Sequence, residues 1–388
     1  MTSALLVGLL VGAPAVLPTN FCGDPINTIC NVPGVSHAGR SILLSAELQR
    51  QRRTALAKIA KANGLDPKTL TEADLQRMPG TRGFSLRFDF ALEILRAQDA
   101  DRRAAEWKVV RENAEALRNM LLDAVDRRGK KSPRTFPPAR IAAMKKALRD
   151  VVVLDMDGVI QVRNDAKNTF AATMGAGFER ICGWDGMQIN AFAARLPDPT
   201  NVKKRYLVIC PGLVLSARGK GAFAWRSLPG VLGTVLHEFA HHIDYLGAPS
   251  VFGELETCVR KHHHLFLKPQ PGEENLVSWM VMTPAQRQDL KTKRHMSEIT
   301  ADIWALEAYA PYLERVAASG RLDMLRMSFG GFCGTPDEGI HPDGDYRIGQ
   351  LVRGDPAIAR LMGCPAQQQV ATTCSLDGTN TGALWMKK

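Results

Sequence analysis

The sequence predicts a predominantly helical α+β fold with a small β-sheet, and three observations carry that expectation. From about residue 45 to residue 148, apolar positions recur at helical spacing in a stretch rich in Ala, Leu, Arg, Glu and Lys. Residues 151–160, 186–196 and 205–217 read as short strand-like runs. After them comes VLGTVLHEFAHHIDY, an apolar helix that carries His237-Glu238-Phe239-Ala240-His241.

Taken in order, SALLVGLLVGAPAVLPTN near the N-terminus carries an apolar stretch of about a dozen residues, too short to span a bilayer. Ala13-Pro14-Ala15 resembles a signal-peptidase site, although no Lys or Arg precedes the run. Residues 1–17 are therefore expected to be a signal peptide and the protein to be exported, periplasmic or extracellular, with no transmembrane segment. Eight cysteines, none in a CxxC, fit disulfides in an exported chain better than a zinc knuckle; eight allow 105 pairings.

In the helical stretch, Leu75, residues 86–98 and Trp107, Val110, Ala114, Leu117 and Leu121 supply the apolar stripe. Breaks are expected at Asn63-Gly64, at Pro79-Gly80 and in the basic, Pro-containing segment 129–138. The run VVVLDMDGVI imitates the opening of dehalogenase-type phosphatases, with Asp155 and Asp157 in the acidic positions. The chain that follows lacks the alternating strands such chemistry needs, so a strand ending in a turn is the preferred reading. Beyond the HEFAH helix, a long helix is expected over residues 297–316 and shorter ones near 322–329 and 356–362.

A formal net charge of +11 invites a nucleic-acid reading. The basic residues are interleaved with acidic ones along helices, and aromatics amount to 6%, which points instead to a solvated basic face; no nucleic-acid partner is expected.

The chemistry centres on the HExxH. Residues four apart share a helix face, so His237 and His241 can direct two imidazoles at one ion, with Glu238 beside them to deprotonate water. Leu232, Val235, Leu236, Phe239 and Ile243 bury this helix, where charged and imidazole groups need partners. A catalytic zinc takes three protein ligands and keeps one position open. The best remaining donor is Glu298, in SEITAD, with Asp302 one turn further along the same helix. Asp302 and Asp244 are placed to accept the N–H of a zinc-bound histidine. His262-His263-His264 cannot converge on one ion, because consecutive helical side chains diverge by about 100°.

Together the residues resemble a family. NAF at 190–192, PGL at 211–213, VLHEFAHHID, ExxAD at 298–302, AYAPY at 308–312 and the segment GIHPDGDYRIGQLVRGDPAIARLMGC follow one another as in the neprilysin/endothelin-converting-enzyme metallopeptidases. The resemblance covers roughly residues 186–374. It implies a thermolysin-like zincin catalytic domain and one zinc per chain, acting on a peptide or protein substrate. By that resemblance His237, His241 and Glu298 are the zinc ligands, and Glu238 is the general base of a metal-activated water. Asp302 and Asp244 orient the two histidines, His341 stabilises the oxyanion and Arg347 binds a substrate carbonyl. Asn190 and Ala191 pair with the substrate main chain. It also implies that Cys22 and Cys30 pair with Cys333 and Cys364, and Cys258 with Cys374, leaving Cys182 with Cys210.

The chain departs from that family at Ala193, where an aromatic is usual, and at Trp304 and Ala305, where glycines are usual. Fewer than 190 residues precede the substrate strand, so the large enclosing helical domain must be reduced and the cleft more open. The expected organisation is a signal peptide at 1–17, a helical supporting region at 18–149 and a zinc metallopeptidase catalytic domain at 150–388. The alternatives are a zincin-fold binding or toxin-like protein acting on one partner, and a basic nucleic-acid-binding protein.

Overall fold

A computed structural model of the chain describes residues 20–30, 46–97, 100–154, 158, 178–179, 181–188, 190–197, 203–216, 229–244, 252–262, 281–335, 341–365 and 373–378. Two short helices, α1 (Asn20–Gly23) and α2 (Pro25–Cys30), precede α3 (Ala46–Ala62), α4 (Glu72–Arg77), α5 (Gly80–Arg96), α6 (Ala100–Lys131) and α7 (Pro138–Arg149). The breaks between them fall where turn chemistry demands. Gly64 and Gly80 adopt positive φ, and Thr71 opens α4 with a capping box closed by Asp74. The expected run of 86–98 appears as the buried stripe of α5, with Leu86, Phe90 and Ile94 on one side and Phe88, Leu92 and Leu95 on the other. The N-terminal apolar stretch and the expected signal peptide at residues 1–17 lie outside the described residues.

Three strands form the sheet: β1 (Val151–Leu154), β2 (Ala191–Pro197) and β3 (Lys203–Ile209), in the order β1-β3-β2. β1 runs parallel to β3 and β2 antiparallel to it, with Ala193 opposite Leu207 and Arg195 opposite Arg205. Alternation along the strands divides the two faces. Ala191, Leu207 and Ile209 join the main core, whereas Phe192, Tyr206 and Val208 pack on Phe88, Leu92 and Leu95 of α5. Asp155 and Asp157 lie outside the described residues.

The expected strand over 205–217 is shorter than its apolar run. It ends at Ile209, and Pro211 opens α8 (Pro211–Ser216). Proline cannot continue a ladder but suits the first helical turn. Gly212 is held so close to the carbonyls of Met187 and Gln188 that a Cβ would overlap them. Likewise β2 begins at Ala191 rather than at Gly186.

Next come α9 (Pro229–Ala240), α10 (Gly253–His262), α11 (Pro284–Glu314), α12 (Arg321–Phe329) and α13 (Gly344–Tyr346). A π-helical turn at Arg347–Val352 and α14 (Pro356–Leu361) follow. α11 starts 13 residues before the expected position. Thr283 caps it, its side chain accepting from the Gln286 N–H while Gln286 reaches back to the Thr283 N–H, and Pro284 takes the first turn. Its first turns are polar in sequence, so apolar periodicity did not reveal them.

α6 packs on α7, α9 and α11, and the main core runs continuously from Trp107 and Leu117 through Leu236 and Phe239 to Trp304. Buried arginines tie distant segments together. Arg128 bonds Glu307 and Asp377, and Arg52 pairs bidentately with Glu72 and at 2.6 Å with Asp185, lying beside the stacked rings of Phe90 and Trp184.

Four disulfides join Cys22 to Cys364, Cys30 to Cys333, Cys182 to Cys210 and Cys258 to Cys374. Two of them fasten α1 and α2 to the C-terminal third. Among the described residues, no helix is long and apolar enough to cross a membrane.

Candidate metal centre

α9 delivers His237 and Glu238 from a helix buried on nearly all sides: Leu232, Val235, Leu236, Phe239 and Ala240 are each fully inaccessible. Gly233, one turn before His237, lets α9 approach α12 until a Cβ would overlap the Ser328 carbonyl oxygen. The regular helix ends at Ala240, yet the His241 N–H still bonds the His237 carbonyl at 3.2 Å, so the i, i+4 relation survives. The two imidazoles stand edge to face with centroids 4.6 Å apart.

Each imidazole is held through Nδ1 by a carboxylate: His237 by Asp302 at 2.8 Å and His241 by Asp244 at 2.9 Å. A carboxylate only accepts, so each Nδ1 is the donor and each Nε2 of a neutral ring carries a lone pair. Those Nε2 atoms face one another at 3.0 Å. Glu298 of α11 completes a triangle, with Oε2 3.0 Å from His237 Nε2 and Oε1 3.4 Å from His241 Nε2. Buried Oε2 accepts no hydrogen bond in acceptable geometry, despite lying 3.1 Å from His341 Nε2 as well. Three electron-pair donors thus converge in a buried site. Ligand bonds of 2.0–2.1 Å in a tetrahedral zinc site give edges of roughly 3.3 Å, and the triangle fits that size. The donor chemistry, two imidazoles and a carboxylate, also suits zinc.

The electrostatics favour a positive charge at this point. Burial opposes protonation of His237, but Asp302 outweighs it and pushes the imidazole up to about 8. Burial likewise opposes charge on His241, yet Glu298 and Asp244 raise it well above the usual histidine range. Desolvation works against the Glu298 carboxylate, and the neighbouring histidines, His241 foremost, still hold it well below the ordinary range. Asp302 is buried too; Arg347 and His237 keep its carboxyl low.

Glu238 projects from the same helix, with Oε1 4.0 Å from His237 Nε2. Its other oxygen accepts the Ala193 N–H at 2.8 Å. His237, Glu238 and His241 each offer a ligand atom within 4.8 Å of the others, and the distances above bring Glu298 into the same group. His341, on the segment before α13, is partly exposed beside Glu298. Arg347 is buried and spans both Asp302 oxygens at 2.8 and 2.7 Å, with its guanidinium 3.6 Å from the Phe332 ring centroid. In this structure Arg347 therefore holds Asp302, which holds His237.

Asn190 immediately precedes β2, which Ala191 opens. The Asn190 side chain accepts the Ala191 N–H at 2.9 Å, and the Asn190 carbonyl receives the Cys210 N–H at 3.1 Å. His262 closes α10; His263 and His264 lie outside the described residues. Three participants escaped the sequence reading: the Ala193 N–H, Arg195 and Ser297. Alternation along β2 puts residues 193 and 195 on one side, a signal that becomes usable only once the strand's start at Ala191 is known. No match was found among protein families, curated proteins or solved structures.

Proposed function

We propose that the protein is a zinc-dependent endopeptidase with a thermolysin-like zincin catalytic domain, similar to the neprilysin/endothelin-converting-enzyme metallopeptidases. One observation carries the reading. His237 Nε2 and His241 Nε2 lie 3.0 Å apart, and the Glu298 carboxylate comes within 3.0 Å of the first through Oε2 and 3.4 Å of the second through Oε1, with both imidazoles oriented by carboxylates and Glu298 Oε2 lacking a hydrogen bond. His237, His241 and Glu298 would hold the ion. Bound there, zinc would supply Lewis acidity, polarising a substrate carbonyl and bringing the pKa of water to about 7.

The remaining work falls to the chain's own groups. Glu238 takes the proton of the attacking water and passes it to the leaving amine. Its carboxylate is kept in orientation by the Ala193 N–H. As negative charge develops on the carbonyl oxygen, His341 donates a hydrogen bond from the rim. The outer edge of β2 offers main-chain groups to an extended substrate, which adds as a further strand. An extended polypeptide is the natural substrate for such an edge, because its main chain carries the donors and acceptors that a strand edge pairs with. Asp302 and Asp244 fix the tautomers of His237 and His241 and strengthen them as donors.

Glu238→Gln separates catalysis from binding. The variant should fold and bind one zinc per chain, while casein hydrolysis falls by about 10²–10⁴-fold. Undiminished hydrolysis by the zinc-loaded variant would overturn the assignment of Glu238, and wild-type protein that takes up no zinc would overturn the whole reading.

A further inference from the structure

The two histidines are supported differently. Asp302 sits in the middle of α11 and is clamped by buried Arg347. Asp244 lies in the turn after α9 rather than within that helix, and side-chain tethers help to hold it. Two are present. Ser297 Oγ donates to Asp244 Oδ2, and Arg195, reaching from β2, lies 3.5 Å from Asp244 Oδ1. The same Arg195 nitrogen also donates to the main-chain carbonyl of His241 itself. Arg205, opposite Arg195 on β3, donates at 3.0 Å to the His242 carbonyl and meets Asp244 only through its charge, without touching the His241 carbonyl.

Building on the zinc reading above, we propose that Arg195 is a positioning residue that fixes the His241 imidazole by holding both its backbone carbonyl and its Asp244 partner. β2 is thereby tied to the centre twice, once through the Ala193 N–H on Glu238 and once through Arg195, two residues further along the same strand. The edge offered to substrate and the second imidazole consequently move as one unit. An arginine suits this place because its rigid, planar guanidinium fixes the direction of both N–H bonds of that one nitrogen, which a lysine ammonium on a flexible stem does less well. The cation also lies against the C-terminal end of α9, where positive charge is favoured.

The test measures zinc affinity by competition with a chelator of known affinity, and the visible spectrum of cobalt-substituted protein, in Arg195→Met, Arg195→Lys and Arg205→Met. Loss of a group that orients a ligand typically weakens metal binding 10–100-fold. Arg195→Met should therefore raise the zinc Kd by about that factor and alter the cobalt bands. Arg195→Lys should fall between it and wild type. Arg205→Met should lower the unfolding midpoint while changing Kd and spectrum far less than Arg195→Met, because it removes a helix-end contact and a distant charge but no tether of the His241 carbonyl.

Wild-type Kd and spectrum in Arg195→Met would overturn the proposal. So would an equal loss in Arg205→Met, since that would reduce Arg195 to a helix-end cation. If Arg195→Met does not fold, Arg195→Lys decides, and a wild-type Kd there counts against the idea. Failure of the zinc reading itself is distinct, because wild-type protein would then not bind zinc at all.

Discussion

Arg347 shows how one residue's surroundings set its role. Its guanidinium is buried against Phe332 and spans Asp302, whose other contact is His237 Nδ1. Arg347→Met would leave the Asp302 carboxylate buried without its cation, which typically costs about 3–5 kcal/mol. Denaturant unfolding of the metal-free protein should show that loss. The double variant Arg347→Met/Asp302→Asn should recover part of it, because the uncompensated charge is gone; a strictly additive double variant would mean the two residues do not act as a pair. At this scale much of the site was legible. His237, Glu238 and His241 announce themselves by helical spacing, and Glu298 with Asp302 by theirs. Which carboxylate meets which imidazole was only inferable, because Asp302 approaches His237 from 65 residues away. The Ala193 N–H left no side-chain signal at all.

At the scale of elements, the packing of α9 on α12 positions the first imidazole. Gly233 is the contact point, since a Cβ there would overlap the Ser328 carbonyl oxygen. Gly233→Ala should force the helices apart at a cost of about 1–3 kcal/mol and, by tilting His237, weaken zinc binding as well. A variant with wild-type unfolding midpoint and zinc Kd would show that this approach is not restrictive. Elements with a long buried stripe, such as α5 and α6, were read correctly as helix because burial itself wrote the 3.6-residue period. The first turns of α11 were missed for the opposite reason. They are mostly polar in sequence, and only the Thr283–Gln286 capping box marks their start. The overlong strand at 205–217 reflects the ambiguity of a continuous apolar run, resolved at Pro211 by backbone chemistry rather than hydropathy.

For the whole molecule, the disulfides connect parts that the sequence keeps far apart. Cys30–Cys333 closes a separation of 303 residues and anchors α2 near α12. Removing it as Cys30→Ala/Cys333→Ala should lower stability by about 2–5 kcal/mol, read as a shift of the urea midpoint. An unchanged midpoint would mean that packing alone holds α2 in place. Zinc should add to stability by mass action, about 2.7 kcal/mol at a free concentration 100 times its Kd. The thermal midpoint should accordingly fall on chelation and recover on adding zinc back; an unresponsive midpoint would argue against a site formed by the fold. The sequence by itself determined the helix-rich class, the breaks at glycine and proline, and the residues that share a helix face, since each follows from geometry within a few residues. Only the tertiary structure decided that three donors from two helices converge within 3.4 Å, that β2 reaches Glu238 and the end of α9, and that α5 backs the opposite side of the sheet. Those contacts join segments separated by long stretches of chain, and what settles them is which faces can be buried together, a property no local period records.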